Sequence, residues 1–237
     1  MKIDVCFSPK LFPFYALDDQ IIVITDIFRA TTSICTAFHN GAKGMKTVSS
    51  IEEAMQLKEK GYPVAAERNV KKCDFADFGN SPFDFTPEKV SGKDIVFTTT
   101  NGTRAVEMAL GADEILIGAF SNISVLTEYC SSKVKNLLIL CSGWNNRFCL
   151  EDTLFAGALA EKLLQNKSSD SKSDATLAAL ELWKIAKTDI KSYICNTEHY
   201  DRLKMNGLEN SVEYCLTADT APVLPFYDKS ERKFVIE

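Results

Sequence analysis

Ile21-Ile22-Val23-Ile24-Thr25-Asp26-Ile27-Phe28-Arg29-Ala30-Thr31-Thr32 is the stretch whose reading decides the fold. A β-branched apolar run passes into a polar cluster, and a helical pattern follows from Ser33 to His39. The same design recurs twice. Ile95-Val96-Phe97 leads into Thr98-Thr99-Thr100-Asn101-Gly102-Thr103 and a helical run from Arg104 to Leu110. Leu137-Leu138-Ile139-Leu140 leads into Cys141-Ser142-Gly143, then Leu150-Glu151-Asp152-Thr153 and a helical run from Leu154 to Leu164. Uninterrupted apolar strands of this length belong to a sheet covered on both faces. Their alternation with helices predicts mainly parallel pairing.

Outward from these segments, Lys2 to Phe7, Lys46 to Val48, Val64 to Ala66 and Glu114 to Gly118 read as further strands. Ser49-Ser50-Ile51-Glu52-Glu53 has the serine and early acidic residues of a helix start, and Gly61 fits its stop. Asn166 to Ser173 reads as a loop and Asp174 to Lys187 as a helix. Pro222 to Tyr227 and Phe234 to Ile236 look like edge or terminal strands. The expected fold is α/β, with a mostly parallel or mixed sheet. Residues 1–237 form one unit, with room for two subdomains around a shared site.

Composition narrows the function. Of the 237 residues, 46% are hydrophobic and 25% charged, as in an ordinary globular protein. A formal net charge of -5 repels nucleic acid and anionic membranes, so neither is an expected partner. No apolar run approaches the ~20 residues that cross a bilayer, and Met1 to Val5 enters a strand pattern directly, without a signal-peptide pattern. The eight cysteines form no C-x-x-C pair, and the two histidines, His39 and His199, lie far apart in sequence, which argues against a sequence-local zinc site. Most of them read as small buried hydrophobes, and reduced thiols suit a cytoplasmic location. The chain is compatible with a homodimer.

The polar clusters carry the chemistry. Ligands collect at the carboxyl ends of strands in open α/β sheets, and each cluster precedes a helix whose free N–H groups favour an anion. The plainer reading is that these residues only cap helices, but three clusters in equivalent places make a shared anion site the better one. Asp26, after a strand, can hold a hard metal or act as a nucleophile. Arg29 can clamp phosphate or sulfonate with two N–H groups, or be a structural partner of Asp26. The aspartyl-phosphate phosphatases of the haloacid dehalogenase type need a second aspartate two residues on, where this chain has Phe28. Glu67-Arg68 offers a metal ligand and an anion contact, or a surface ion pair. Asn80 and Ser81, in a turn-rich loop, can donate to ligand oxygens. Glu151 and Asp152 open the third helix, where acidic residues are also favoured without any function. Arg147, upstream, is another candidate anion contact.

Read together, the clusters resemble a known family. Asp26-Ile27-Phe28-Arg29-Ala30-Thr31-Thr32-Ser33-Ile34 resembles the "DVLRATTTI" motif of the 2-phosphosulfolactate phosphatases. Gly79-Asn80-Ser81-Pro82 resembles their "GNSP" loop, Thr98 to Thr103 their "TTTNGT" motif, and Cys141-Ser142-Gly143 with Leu150 to Gly157 their "CxG…LEDTLxAG" segment. His199, Leu203, Gly207, Asp219 and Val223-Leu224-Pro225 are similar to the looser ending. The departures are Ile27-Phe28 for Val-Leu, alanine before Glu67 where glycine is frequent, and Cys149 where serine is common.

This resemblance implies a three-layer α/β/α fold, dependence on Mg²⁺, and hydrolysis of 2-phosphosulfolactate to sulfolactate and phosphate on a route to coenzyme M. The implied catalytic residues are Asp26, Arg29, Glu151 and Asp152. Thr31, Thr32, Arg68, Asn80, Ser81, Asn101, Gly102, Thr103, Ser142 and Arg147 would bind the small anionic ester, and Asp26, Glu67 and Asp152 the metal. Whether Asp26 is nucleophile, base or ligand stays open. A phosphatase for another phosphorylated hydroxy acid and a non-catalytic anion-binding protein are the alternatives.

Overall fold

Ile21 to Thr25 are buried without a break, so both faces of their strand are covered. The computed structural model describes residues 1–15, 19–166 and 168–236. In chain order its first half contains β1 (Ile3–Cys6), β2 (Gln20–Thr25), α1 (Ala30–His39), β3 (Gly44–Thr47), α2 (Ile51–Glu59), β4 (Val64–Arg68), β5 (Lys71–Lys72), α3 (Pro87–Val90), β6 (Asp94–Thr98) and α4 (Gly102–Ala109). The second half contains β7 (Glu114–Gly118), α5 (Ile123–Ser132), β8 (Asn136–Cys141), α6 (Leu150–Leu163), α7 (Asp174–Ala186), α8 (Ile190–Ile194), α9 (Glu198–Met205), α10 (Asn210–Leu216), β9 (Phe226–Asp228) and β10 (Lys233–Val235).

The expected helices and strands form where their local chemistry asks. Ser50 Oγ accepts from Glu53 N at 3.0 Å and starts α2, and Ser173 Oγ does the same for α7 from Thr176 N at 3.4 Å. The loop expected over Asn166 to Ser173 is irregular apart from a bridge between Asp170 and Lys2, and its Lys167 lies outside the described residues. α1 begins at Ala30, three residues before the helical pattern expected from Ser33, so Thr31 and Thr32 stand in its first turn.

Ten strands join in the order β1-β8-β2-β7-β9-β10-β3-β6-β4-β5. β1, β8, β2 and β7 run parallel, as do β3, β6 and β4. Between the two groups lies the antiparallel pair β9 and β10, joined to β7 through Leu116 and Phe226 and to β3 through Met45 and Phe234. Two expectations are corrected here. The C-terminal strands are central, not edge or terminal strands, with Phe234 fully buried. Each is three residues long, too short to show a period. Nor do the three clusters leave one edge of a parallel sheet. Three antiparallel steps reverse the β3-β6-β4 group relative to the β1-β8-β2-β7 group. A flat sheet would set the ends of β2 and β6 on opposite edges, yet their loops touch, so the sheet turns sharply across its narrow central seam.

Three layers follow from the strand faces. Val23 and Gly118 face Phe155 of α6. Ile24 and Ile117, one residue away along β2 and β7, line a small internal cavity with Ala30 and Ile34 of α1 and Val106 of α4. α7 lies outside α6 at close approach, where a Cβ on Gly157 would stand 2.2 Å from the Ala179 carbonyl oxygen. Gly157→Ala must push these helices apart, and should cost about 2–3 kcal/mol. Thermal unfolding followed by circular dichroism checks this; an unchanged Tm would contradict it.

Candidate active site

β2 delivers Asp26 to the seam between the two strand groups. The side chain is buried, and the local turn is fixed by Thr31, whose Oγ1 contacts both Asp26 N and Asp26 O at 3.0 Å. Thr32 Oγ1 donates to Ile27 O at 3.2 Å. Both threonine hydroxyls thus shape the loop that presents Asp26 and Arg29. The Phe28–Arg29 peptide within it is cis.

The second cluster meets this loop directly. A Cβ on Gly102 would stand 3.0 Å from Asp26 Oδ2 and 3.0 Å from Ala30 Cβ, so glycine lets the start of α4 approach the carboxylate. Asn101 Oδ1 accepts from Asn145 N at 3.1 Å, which joins the second cluster to the third. Thr103 Oγ1 donates to Thr99 O at 3.0 Å within its own turn.

The third cluster is tied to the first by Asp152. Its Oδ1 accepts from Ile27 N at 2.9 Å and its Oδ2 from Gly143 N at 3.0 Å. Glu67 arrives from the other strand group, at the end of β4. Its Oε1 accepts from Val70 N at 2.5 Å and from Thr100 Oγ1 at 3.3 Å. Arg29 is buried, with Nη2 donating to Val70 O at 3.3 Å and Nε without a partner among the described residues.

Electrostatics bind these groups into one cluster. Burial foremost, with Glu67 and Glu151 adding to it and His199 opposing, raises the pKa of Asp26 to about 6. Burial, then Glu151 and Asp26, push Asp152 upward, against its two N–H bonds. Glu151 moves down instead: burial would raise it, but His199 outweighs that. For Arg29 burial lowers the pKa, while Glu67, Asp84 and Asp26 counter it.

His199 is the residue that the motif reading named only in passing. α9 carries it, with Thr197 Oγ1 accepting from Tyr200 N at 3.2 Å to cap the helix. His199 Nδ1–H donates to Glu151 Oε1 at 2.5 Å, and Nε2 has no partner. Phe28 and Trp144 wall the ring at centroid distances of 5.6 and 5.4 Å. The available signal was a capping Thr197 before an otherwise charged helix, Glu198-His199-Tyr200-Asp201-Arg202.

Other sequence candidates divide. Asn80 Oδ1, Thr99 Oγ1 and Ser142 Oγ are buried without partners, the state expected of groups that receive a ligand. Ser81 is half-buried beside Asn80. Arg68 is committed elsewhere: it donates to Glu67 O at 2.7 Å, Thr98 Oγ1 at 2.9 Å and Ser49 O at 3.3 Å. It is therefore not the surface ion pair that was the plainer reading. Arg147 is exposed, its backbone paired with Trp144, and it makes no ion pair among the described residues. Asp219 caps α5, accepting from Ser124 N at 2.9 Å and Ser124 Oγ at 2.6 Å. Six cysteines are buried, and Cys73 and Cys195 half-buried, all as free thiols. No described helix is long and apolar enough to cross a membrane.

A family model described as 2-phosphosulpholactate phosphatase matches residues 6–230. The match places the chain among the phosphoric monoester hydrolases. It belongs to the 2-phosphosulfolactate phosphatase family. A probable 2-phosphosulfolactate phosphatase of Thermotoga maritima is 38% identical over 213 residues, covering 90% of this chain and 91% of that protein. Probable 2-phosphosulfolactate phosphatases of Clostridium novyi and Gloeothece citriformis are each 35% identical. The first covers 95% of this chain and 96% of that protein; the second covers 95% of each.

Proposed function

We propose that the protein hydrolyses 2-phosphosulfolactate to sulfolactate and phosphate with Mg²⁺, in a sequence of reactions leading to coenzyme M. The names of the relatives support the substrate. The observation that carries the chemistry is the charge of the buried cluster. Asp26, Glu67, Glu151 and Asp152 are buried with one buried guanidinium, Arg29, and one buried imidazole, His199, while half-buried Arg68 bonds the Glu67 carbonyl. Such a surplus of carboxylates cannot bind an anion by itself.

A divalent cation resolves the conflict, and the donors suit a hard ion. Asp26, Glu67 and Asp152 are the residues that would hold it, drawing closer together to do so, since among the described residues the trio whose ligand atoms already lie within 4.8 Å of one another is Cys149, Glu151 and His199. The N–H bonds at Asp152 orient its two oxygens and leave each with acceptor capacity. When bound, Mg²⁺ polarises the phosphoryl group and offsets its developing charge. Arg29 orients phosphoryl oxygens, assisted by the N–H groups at the start of α4 and by the Thr99 and Ser142 hydroxyls, while the Asn80 Oδ1 can accept from a protonated ligand group or a cation. Glu151 holds the His199 ring with Nε2 free, an arrangement suited to proton exchange at that atom.

Phosphate release from 2-phosphosulfolactate should vanish after chelation and return with Mg²⁺ or Mn²⁺. Full activity of an exhaustively chelated protein would sink the metal assignment.

A further inference from the structure

We propose that Cys149, Glu151 and His199 form a second, softer cation site that takes Zn²⁺, separate in its ligands from the carboxylates assigned to Mg²⁺. One ligand atom from each of the three lies within 4.8 Å of the others, and all three residues are buried. Thiolate, imidazole and carboxylate together favour zinc over magnesium, which prefers oxygen ligands throughout. A tetrahedral zinc with bonds of about 2.0–2.3 Å places its ligand atoms about 3.3–3.8 Å apart. The three atoms therefore need only small movements, including a parting of His199 and Glu151 from their 2.5 Å hydrogen bond.

The second observation is the ring of His199 itself. The residue is 6% exposed; its Nδ1 lies against Glu151 Oε1, and its Nε2, without a partner among the described residues, is free to take over the ring proton when Nδ1 binds the metal. The Phe28 and Trp144 rings hold it in place, so it enters the site already oriented. Binding replaces the proton on Cys149 Sγ, which leaves to solvent. The imidazole keeps one proton, on the nitrogen turned away from the metal, and stays neutral. The fourth position of the zinc remains for water or a substrate oxygen.

Occupation removes Glu151 and His199 from the cluster around Asp26, so zinc should inhibit. This arm rests on the phosphatase reading; the binding arm does not. The binding test titrates chelator-stripped, reduced protein with Co²⁺ in the absence of substrate. Wild type should develop a thiolate-to-cobalt charge-transfer band that Zn²⁺ abolishes. Cys73→Ser should keep the band, whereas Cys149→Ser and His199→Gln, shown by circular dichroism to be folded, should lose it. Should Cys149→Ser not fold, Cys149→Ala serves in its place. With excess Mg²⁺, zinc that lowers wild-type turnover tenfold should leave Cys149→Ser unaffected. Absence of the band in wild type, or its persistence without Cys149, overturns the proposal whether or not the protein hydrolyses the ester.

Discussion

Asp26→Asn is expected to lower kcat/KM about a thousandfold while leaving the protein as stable as wild type, or more so. The activity loss, on the order of 4 kcal/mol, is what the proposed role of Asp26 as a charged metal ligand beside the phosphoryl group entails. The stability gain has a separate origin. Asp26 is buried near Glu67 and Glu151, and its pKa rises from an ordinary 3.8 to about 6. Folding therefore favours the protonated carboxyl. Below about pH 4 the group is protonated in both states and costs nothing. Between about pH 4 and 6 the unfolded chain ionises while the folded protein keeps its proton, so about 3 kcal/mol is lost across that window, and above 6 the cost stays level. Metal-free Asp26→Asn should escape that loss. Thermal unfolding of both proteins from pH 4 to 7 after chelation checks this. Curves that stay parallel across the range would show that the buried acidic cluster is not frustrated.

Arg29→Lys should lower kcat/KM about 30- to 150-fold, or 2–3 kcal/mol, whereas Lys72→Ala should leave it unchanged. Lysine keeps the charge but loses the planar fork that can hold two oxygens. In the structure Arg29 uses one nitrogen on the Val70 carbonyl and keeps Nε unpartnered, in a buried position beside Asp26. Lys72 is exposed, and its Nζ donates to the Asp77 carbonyl at 3.0 Å. Steady-state kinetics on the preferred ester decide between them. Near-normal kcat/KM for Arg29→Lys would make Arg29 a structural partner of Asp26, not a substrate clamp.

The strands of both parallel groups were legible because β2, β6 and β8 are apolar without interruption, and a doubly covered sheet writes itself that way. The first turn of α2 was legible from its serine cap, and α7 from its helical periodicity. The reversal of one strand group was not, because it depends on two short strands whose contacts with β7 and β3 are each a single residue pair. Within the site, Asp26, Arg29, Glu67 and Asp152 could be found because each lies next to a strand end or helix start. Arg68 shows the limit of that reasoning: alternation along β4 sets its side chain on the face opposite that of Glu67, and its guanidinium bonds the Glu67 carbonyl, Ser49 and Thr98. The Glu151–His199 pair spans 48 residues, and no local pattern records such a contact.

The central claim is that this buried acidic cluster, with a hard cation, hydrolyses a phosphate ester that also carries a sulfonate. Phosphate release should be measured with 2-phosphosulfolactate and with phospholactate, which lacks the sulfonate, each with Mg²⁺ and after chelation. Release should depend on Mg²⁺, with a markedly higher kcat/KM for 2-phosphosulfolactate. Release from neither ester, or a strong preference for phospholactate, would contradict it.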